Sequence, residues 1–210
     1  MPASEGRREA SKRATRTALL AAAKQLFAEQ GYSGTTVRDI AAAARVTERT
    51  FYRYFDGKED LIASEYLAWL DLLRAAIASR PGAETPPVAL QHALLELGRQ
   101  VAAGDGPIPL WLFSEGPPAT SLRRSGVRPL LQLEAVIAGS VLARMQPDGR
   151  ELAEDETFDA WVISRAAVAA LRSAVIWQRE RPPGRGRPSA RDLLLRAFAA
   201  MSTAWPLPGD

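Results

Sequence analysis

The chain has 210 residues, of which 47% are hydrophobic and 24% charged, with a formal net charge of +3. This length allows one small and one larger domain, and the hydrophobic share suffices for a real core. No cysteine is present, so disulfides and cysteine-ligated metal sites are excluded.

The excess positive charge lies at the N-terminal end of the sequence. Residues 1–60 contain eleven Lys and Arg against eight Asp and Glu, whereas the remainder contains sixteen of each. A surplus of three is, by itself, compatible with an ordinary solvated surface. Joined to a DNA-binding motif, it gives the sign of field that attracts phosphates.

The first thirteen residues are polar and lack the apolar core of a signal peptide, and no uncharged stretch reaches transmembrane length. We therefore expect a cytoplasmic protein without a membrane partner, whose residues 1–12 form a flexible basic arm.

A capped helix is predicted to begin after Thr36. Asp39 follows three residues later, which makes a capping-box pair with the threonine. Val37, Ile40 and Ala41 then fall at helical spacing and are expected to pack inward.

A second short helix is predicted to follow, as far as Phe55. Val46 is expected to pack under the turn between the two helices, and Thr47 is a natural N-cap. Phe51 and Phe55 are four residues apart and share one face, which leaves hydroxyls, arginines and tyrosines for the outer face. Two short helices meeting at a sharp turn, the second with a polar outer face, are how many proteins present a helix to the DNA major groove.

Past Leu61 the pattern predicts amphipathic helices separated by proline and glycine, with no alternating strand signal. A long helix should begin at an Asp56 cap and end before Arg80. Further helices are predicted over about 87–104, 107–113, 117–145, 157–179 and 189–205, with Pro129 as a kink or restart. The fold expected is all-α, with a three-helix domain over residues 1–60 and a larger helical domain over 61–210.

Residues from roughly 12 to 62 resemble the DNA-binding domain of the TetR (tetracycline repressor) family of bacterial transcription regulators. The matching residues, in the family's order, are Ala23, Leu26, Phe27, Gly31, Tyr32, Thr35 to Val37, Ile40, Ala41, Val46, Thr47, Phe51 to Phe55, Lys58 and Leu61. The resemblance implies a homodimeric regulator that binds a palindromic or near-palindromic operator. It implies most naturally a repressor, released when a small hydrophobic or amphipathic effector fills the larger domain.

Arg45 departs from the family pattern, which usually has a glycine at this helix-ending turn. A left-handed backbone at a non-glycine residue costs about 1–2 kcal/mol. Three interpretations follow: the turn is slightly relaxed, Arg45 is a strained but silent turn residue, or Arg45 tolerates the strain while its guanidinium points toward a phosphate.

Position in the motif assigns roles in DNA binding. Arg49 and Thr50 should face base edges, while Thr36, Thr47, Tyr52 and Lys58 should contact phosphates. The full set of predicted DNA-binding residues is Thr36, Arg38, Arg45, Thr47, Arg49, Thr50, Tyr52, Arg53, Tyr54 and Lys58.

The resemblance also places residues in the larger domain. The predicted effector pocket comprises Trp69, Leu73, Leu94, Leu97, Trp111, Phe113, Leu133 and Val136, each of which also suits plain core. The predicted dimer interface comprises Trp161, Val168, Leu171, Val175, Leu194, Phe198 and Met201. Its helices are apolar beyond one stripe and need a second surface, for which a monomer core is the alternative.

Three other functions are weighed against a regulator. The sequence lacks a nucleophile elbow, a phosphate loop and a dinucleotide fingerprint, so no enzyme is expected. A non-specific architectural DNA binder would need a larger positive surplus. The segment from Arg185 to Pro188 resembles an AT-hook, although an ordinary loop has the same composition.

His92 is the only histidine, so no histidine-rich metal site and no cofactor are expected.

Overall fold

The computed structural model describes residues 3–102, 129–146, 149–180 and 188–203. Every regular element in these ranges is an α-helix, as the sequence predicts. The helices are α1 (Ala3–Gly34), α2 (Val37–Ala43), α3 (Glu48–Phe51), α4 (Lys58–Ala78), α5 (Pro86–Ala102), α6 (Pro129–Met145), α7 (Glu154–Arg179) and α8 (Ala190–Thr203). The helix expected over 107–113, the stretch 117–128 and most of the AT-hook-like segment lie outside the described residues.

The described residues fall into two units, which divide inside α4 after Leu67. The first unit contains α1, α2, α3 and the first half of α4. The second contains the rest of α4 with α5 to α8. In the second unit α6 packs against α7, α7 against α8, and α5 against both α6 and α8.

The first unit has its own apolar core. Leu19, Phe27, Ile40, Phe51 and Leu61 bring all four helices into this core, and each is at most 4% exposed. Ile40 and Phe51 are fully buried, as the spacing in the sequence predicts. Burial of this kind is worth about 1.5–3 kcal/mol per side chain, so the core fixes how α2 and α3 sit on α1.

The N-terminal end differs from expectation. α1 is helical from Ala3, where a flexible arm is expected from the sequence, and its residues before Leu19 are mostly exposed. The helical backbone is interrupted at Gly31, whose φ of 76° is left-handed. A residue without a Cβ adopts this conformation at little cost, so the chain can turn here toward α2.

Local chemistry accounts for the starts of three helices. α4 begins at Lys58, and the Asp60 carboxylate accepts a hydrogen bond from the backbone N–H of Asp56 at 3.4 Å. α6 is described from Pro129, a residue that suits the first position of a helix because its missing N–H costs least there. Ser189 caps α8, since its hydroxyl accepts from the N–H of Asp192 at 3.1 Å.

Arg144, near the C-terminal end of α6, holds the end of α4 and the loop that follows it. Its guanidinium donates to the backbone carbonyls of Ile77, Arg80, Pro81 and Glu84 over 2.6 to 3.3 Å. Carbonyls at a helix end lack partners within the helix, and one guanidinium satisfies several of them here.

Candidate nucleic-acid interface

A complete capping box starts α2. The Thr36 hydroxyl accepts from the N–H of Asp39 at 3.2 Å, and the Asp39 carboxylate accepts from the N–H of Thr36 at 3.1 Å. The Thr36 hydroxyl donates its own proton to the same carboxylate at 2.6 Å. These hydrogen bonds from Thr36 hold the pKa of Asp39 below its ordinary value. The sequence prediction of this cap is confirmed.

The turn between α2 and α3 is a Schellman motif built around Arg45. The N–H of Val46 donates to the carbonyl of Ala41 at 2.9 Å, and the N–H of Arg45 donates to that of Ala42 at 3.0 Å. Arg45 has a φ of 57°, so the left-handed geometry of the family pattern is kept without a glycine. Its side chain is exposed.

Thr47 caps α3 as predicted. Its hydroxyl accepts from the N–H of Thr50 at 3.1 Å, and the two threonine hydroxyls share a hydrogen bond of 3.0 Å. The regular helix ends at Phe51, earlier than expected from the sequence. Hydrogen-bonded turns continue to Phe55, whose N–H donates to the carbonyl of Phe51 at 3.1 Å. Both phenylalanines remain buried and anchor this segment.

Most of the predicted DNA-binding side chains face solvent. Arg38, Arg45, Thr47, Arg49, Tyr52 and Arg53 are exposed, and Tyr52 is 55% exposed. Thr50 and Tyr54 are half-buried, and the Arg53 guanidinium lies 5.2 Å from the centre of the Tyr54 ring. The unit therefore offers arginines, hydroxyls and a phenol on α2, on α3 and on the turns that join and follow them.

Two of the predicted phosphate contacts have their donors engaged inside the chain. Lys58 is half-buried, and its ammonium donates to the carbonyls of Tyr32 and Thr35 at 2.8 and 2.9 Å. The same ammonium lies 4.1 Å from the centre of the Tyr32 ring. Thr36 donates both its hydroxyl and its backbone N–H to Asp39. In this conformation two of the three N–H donors of Lys58, and both donors of Thr36, are engaged by groups of the chain itself. The assignment of these residues to phosphates stays a prediction.

Sequence reasoning missed the contacts that Tyr32 and Arg16 make. The Tyr32 hydroxyl donates to Glu59 at 2.6 Å, and the Arg16 guanidinium lies 5.2 Å from the centre of the Phe55 ring. Burial, and then the hydrogen bond to Glu59, raises the pKa of Tyr32 above its ordinary value. The Gly31-Tyr32 pair was a visible signal of a turn, but its partners lie more than twenty residues away.

The second unit contains the residues predicted to line the effector pocket. Trp69, Leu73, Leu94, Leu97 and Leu133 are buried and Val136 is half-buried. Trp111 and Phe113 lie outside the described residues. These positions suit both a pocket and a core, so the pocket stays a prediction.

The predicted dimer residues divide into two groups. Val168, Leu194 and Phe198 are at most 8% exposed within the single chain, so they belong first to its own core. Leu171 and Met201 are half-buried, Trp161 is 51% exposed, and the side chain of Val175 lies outside the described residues. The exposed apolar side chains of α7, which the sequence stripe did not single out, are Phe158, Val162 and Ile176.

Membrane spans and metal clusters are both absent from the part of the chain that the structure describes. Within those ranges, no helix is both long and apolar enough to cross a membrane. No group of three or more histidine, aspartate or glutamate side chains in the same ranges is placed to hold a metal ion.

Part of the chain matches the model of a known family. Residues 19–64 match the family model of the bacterial regulatory proteins of the tetR family, a stretch that includes α2, α3 and the start of α4. This part of the chain is similar to the N-terminal domain of TetR-family regulators. Its match to the transcriptional regulator TcmR of Streptomyces glaucescens is 36% identical over 104 residues, which is 50% of this chain and 46% of TcmR. The chain thus matches less than half the length of this relative.

Solved structures of other regulators are similar in fold over most of the chain. The fatty acid degradation regulator FadR from Bacillus halodurans has a TM-score of 0.59 at 20% identity, over 90% of this chain and 99% of that one. FadR of Thermus thermophilus, a TetR-family transcriptional repressor solved in complex with lauroyl-CoA, has a TM-score of 0.52 at 20% identity. That alignment covers 93% of this chain and 100% of the Thermus protein. At such identity the likeness concerns the fold alone: an N-terminal helix-turn-helix domain and a C-terminal helical domain.

Proposed function

We propose that the chain is a sequence-specific DNA-binding transcriptional regulator, and that it is a repressor released from its operator by a small hydrophobic or amphipathic molecule. One observation carries the proposal. The Schellman turn joins two capped helices whose inner residues Ile40 and Phe51 are fully buried, while Arg38, Arg49 and Tyr52 are exposed. Rigid helices with exposed arginines and hydroxyls suit the major groove.

We assign the reading of bases to Arg49 and Thr50, since both lie in the short capped helix α3. Arginine can bind guanine through two hydrogen bonds, and such a pair is worth about 1–3 kcal/mol of discrimination. Thr47 and Tyr52 are assigned to phosphates, with Arg38 and Arg53 as additional cations. Arg45 is exposed at the turn, and its role is open to test.

We propose that two copies of the chain act together, because two recognition helices are needed to reach half-sites about 34–36 Å apart. The surface proposed for the contact is the exposed apolar face of α7, with Phe158, Trp161, Val162 and Ile176. Large apolar side chains gain about 1.5–3 kcal/mol each when they are removed from water. A homodimer on a palindromic operator follows from this arrangement.

The effector is proposed to bind in the second unit, among the buried side chains of α4, α5 and α6. Apolar linings with few polar groups suit hydrophobic or amphipathic ligands. Coupling between such a site and operator binding is typically about 1–3 kcal/mol, or a 5- to 150-fold change in affinity. Lauroyl-CoA, the molecule bound to the Thermus FadR, is a suitable first probe. Leu97→Trp should fill space and reduce the response of the protein to a ligand.

We do not propose an enzyme, since the family model that matches residues 19–64 describes regulatory proteins. The cytoplasm is the proposed location, because the operator lies there. The competing class, an architectural DNA binder, makes a different prediction. Equilibrium titration of the protein with a selected sequence and with random DNA, at two salt concentrations, separates the two. A regulator should prefer its sequence by at least about a thousand-fold, whereas equal affinities would overturn the proposal.

A further inference from the structure

The first two residues of α4 form hydrogen bonds with the turn between α1 and α2. Lys58 donates to the carbonyls of Tyr32 and Thr35, and the Tyr32 hydroxyl donates to Glu59 at 2.6 Å. The Lys58 ammonium also lies over the Tyr32 ring. Three side chains thus connect two segments separated by more than twenty residues in the chain.

The turn has its own fixed geometry. Thr35 is fully buried, and its hydroxyl donates to the carbonyl of Gly31 at 2.8 Å. The N–H of Thr35 donates to the carbonyl of Tyr32 at 3.3 Å. Thr36, the N-cap of α2, comes directly after. A displacement of Lys58 and Glu59 is therefore passed to the first residue of the helix-turn-helix, or it breaks these hydrogen bonds.

We propose that Tyr32, Lys58 and Glu59 form a clasp that sets the position of α2 and α3 relative to α4, and that Lys58 is a positioning residue for DNA binding. This inference rests on the proposed function. α4 is one continuous helix from Lys58 to Ala78, so its first turn transmits its movement to the reading helices through the clasp. The cationic ammonium acts on two carbonyls and a ring.

Substitutions of Lys58 distinguish a role in the clasp from a role as a phosphate contact. Lys58→Met keeps most of the apolar stem and removes the ammonium, while Lys58→Arg keeps the charge. Arginine is a good phosphate ligand, but its planar guanidinium does not reproduce a compact ammonium between two carbonyls and a ring. If Lys58 is part of the clasp, both variants should lose affinity for a wild-type-selected operator duplex by roughly ten-fold. The slope of log affinity against log salt should remain that of the wild type.

Opposite results would overturn the clasp. A phosphate contact predicts that Lys58→Arg binds like the wild type, while Lys58→Met flattens the salt slope by about 0.9 for each phosphate that is no longer neutralised. A purely structural role predicts a lower midpoint of thermal unfolding with unchanged affinity, measured well below that midpoint. Lack of any specific binding by the wild type would instead overturn the proposed function.

A double-mutant cycle on the second hydrogen bond keeps the test decisive if Lys58 variants fold poorly. Tyr32→Phe retains the ring under the ammonium and Glu59→Gln retains the side-chain shape. Both remove or weaken the same hydrogen bond, so their effects on operator affinity should not add. Glu29→Gln, on the exposed part of α1, is the matched control and should bind like the wild type. Wild-type affinity in both single variants, or fully additive losses, would contradict the clasp.

Discussion

The backbone N–H of Val46 donates to the carbonyl of Ala41 at 2.9 Å, across a turn that requires a left-handed residue and has Arg45 in that position. Glycine adopts this conformation without steric cost, whereas a residue with a Cβ does not. The turn between α2 and α3 therefore contains strain that the rest of the unit holds in place. Replacing Arg45 with glycine tests whether this strained residue has a role in DNA binding.

Arg45→Gly should stabilise the protein by about 0.5–1 kcal/mol. The relief of about 1–2 kcal/mol of left-handed strain is partly offset by the greater freedom of glycine in the unfolded chain. Denaturant unfolding measures the change. Ala44→Gly is the control, because Ala44 has an ordinary right-handed backbone with a φ of −78° and should lose stability instead. If Arg45→Gly binds operator DNA as tightly as the wild type, the guanidinium has no phosphate contact.

Arg49→Ala should cost about 1–3 kcal/mol of operator binding and relax the base preference at one position in each half-site. Arg74→Ala, an exposed arginine of α4 in the second unit, is the matched control. Affinities for a panel of single-base operator variants give the measurement. Unchanged selectivity in the Arg49 variant would show that another residue reads the bases.

Charged side chains introduced on the exposed face of α7 should prevent the protein from forming a dimer. Phe158→Glu with Val162→Glu places two carboxylates where two copies are proposed to meet, and burying unpaired charge is costly. Sedimentation should show monomers with weak operator binding. Val88→Glu, an exposed apolar residue of α5, should leave the assembly intact. A wild-type protein that is monomeric at micromolar concentration would rule out this interface.

Acid should weaken the region around Glu84 in the second unit. The hydrogen bond from Arg80, with help from His92, holds the pKa of Glu84 at about 2, below its ordinary value of 4.5. A carboxylate with a lowered pKa contributes stability that is complete above 4.5 and is lost as the pH falls toward 2. Thermal unfolding midpoints between pH 5 and pH 2 should therefore fall less steeply in Glu84→Gln than in the wild type. Glu151→Gln, an exposed carboxylate, is the control and should follow the wild type.

The parts of the site that sequence patterns predict well are local. The capping box of Thr36 and Asp39, the Thr47 cap and the burial of Phe51 each depend on residues within four positions of one another. The role of Lys58 depends on carbonyls 23 and 26 residues away, which no local pattern reports. Its charge and place in the motif indicated a phosphate contact, but the fold gives it backbone partners.

The larger unit shows a different limit of sequence patterns. An apolar stripe predicts that a helix face is buried without identifying what covers it. The sequence predicts that Val168 and Phe198 lie at the dimer interface, and within the single chain both are already buried. Conversely, Phe158 and Val162 are exposed although they did not belong to the predicted stripe. The choice between core and interface is made by tertiary packing, which the periodicity of a single helix does not contain.

The most direct test of the account is selection of duplexes from a random-sequence DNA pool by the wild-type protein, followed by sequencing and affinity measurement. A dimer that reads an operator with two recognition helices should enrich an inverted repeat whose half-sites lie about one helical turn apart. The enriched duplex should bind at least about a thousand-fold more tightly than random DNA at physiological salt. Enrichment of no sequence, with equal affinity for all duplexes, would contradict the central claim that α2 and α3 read an operator.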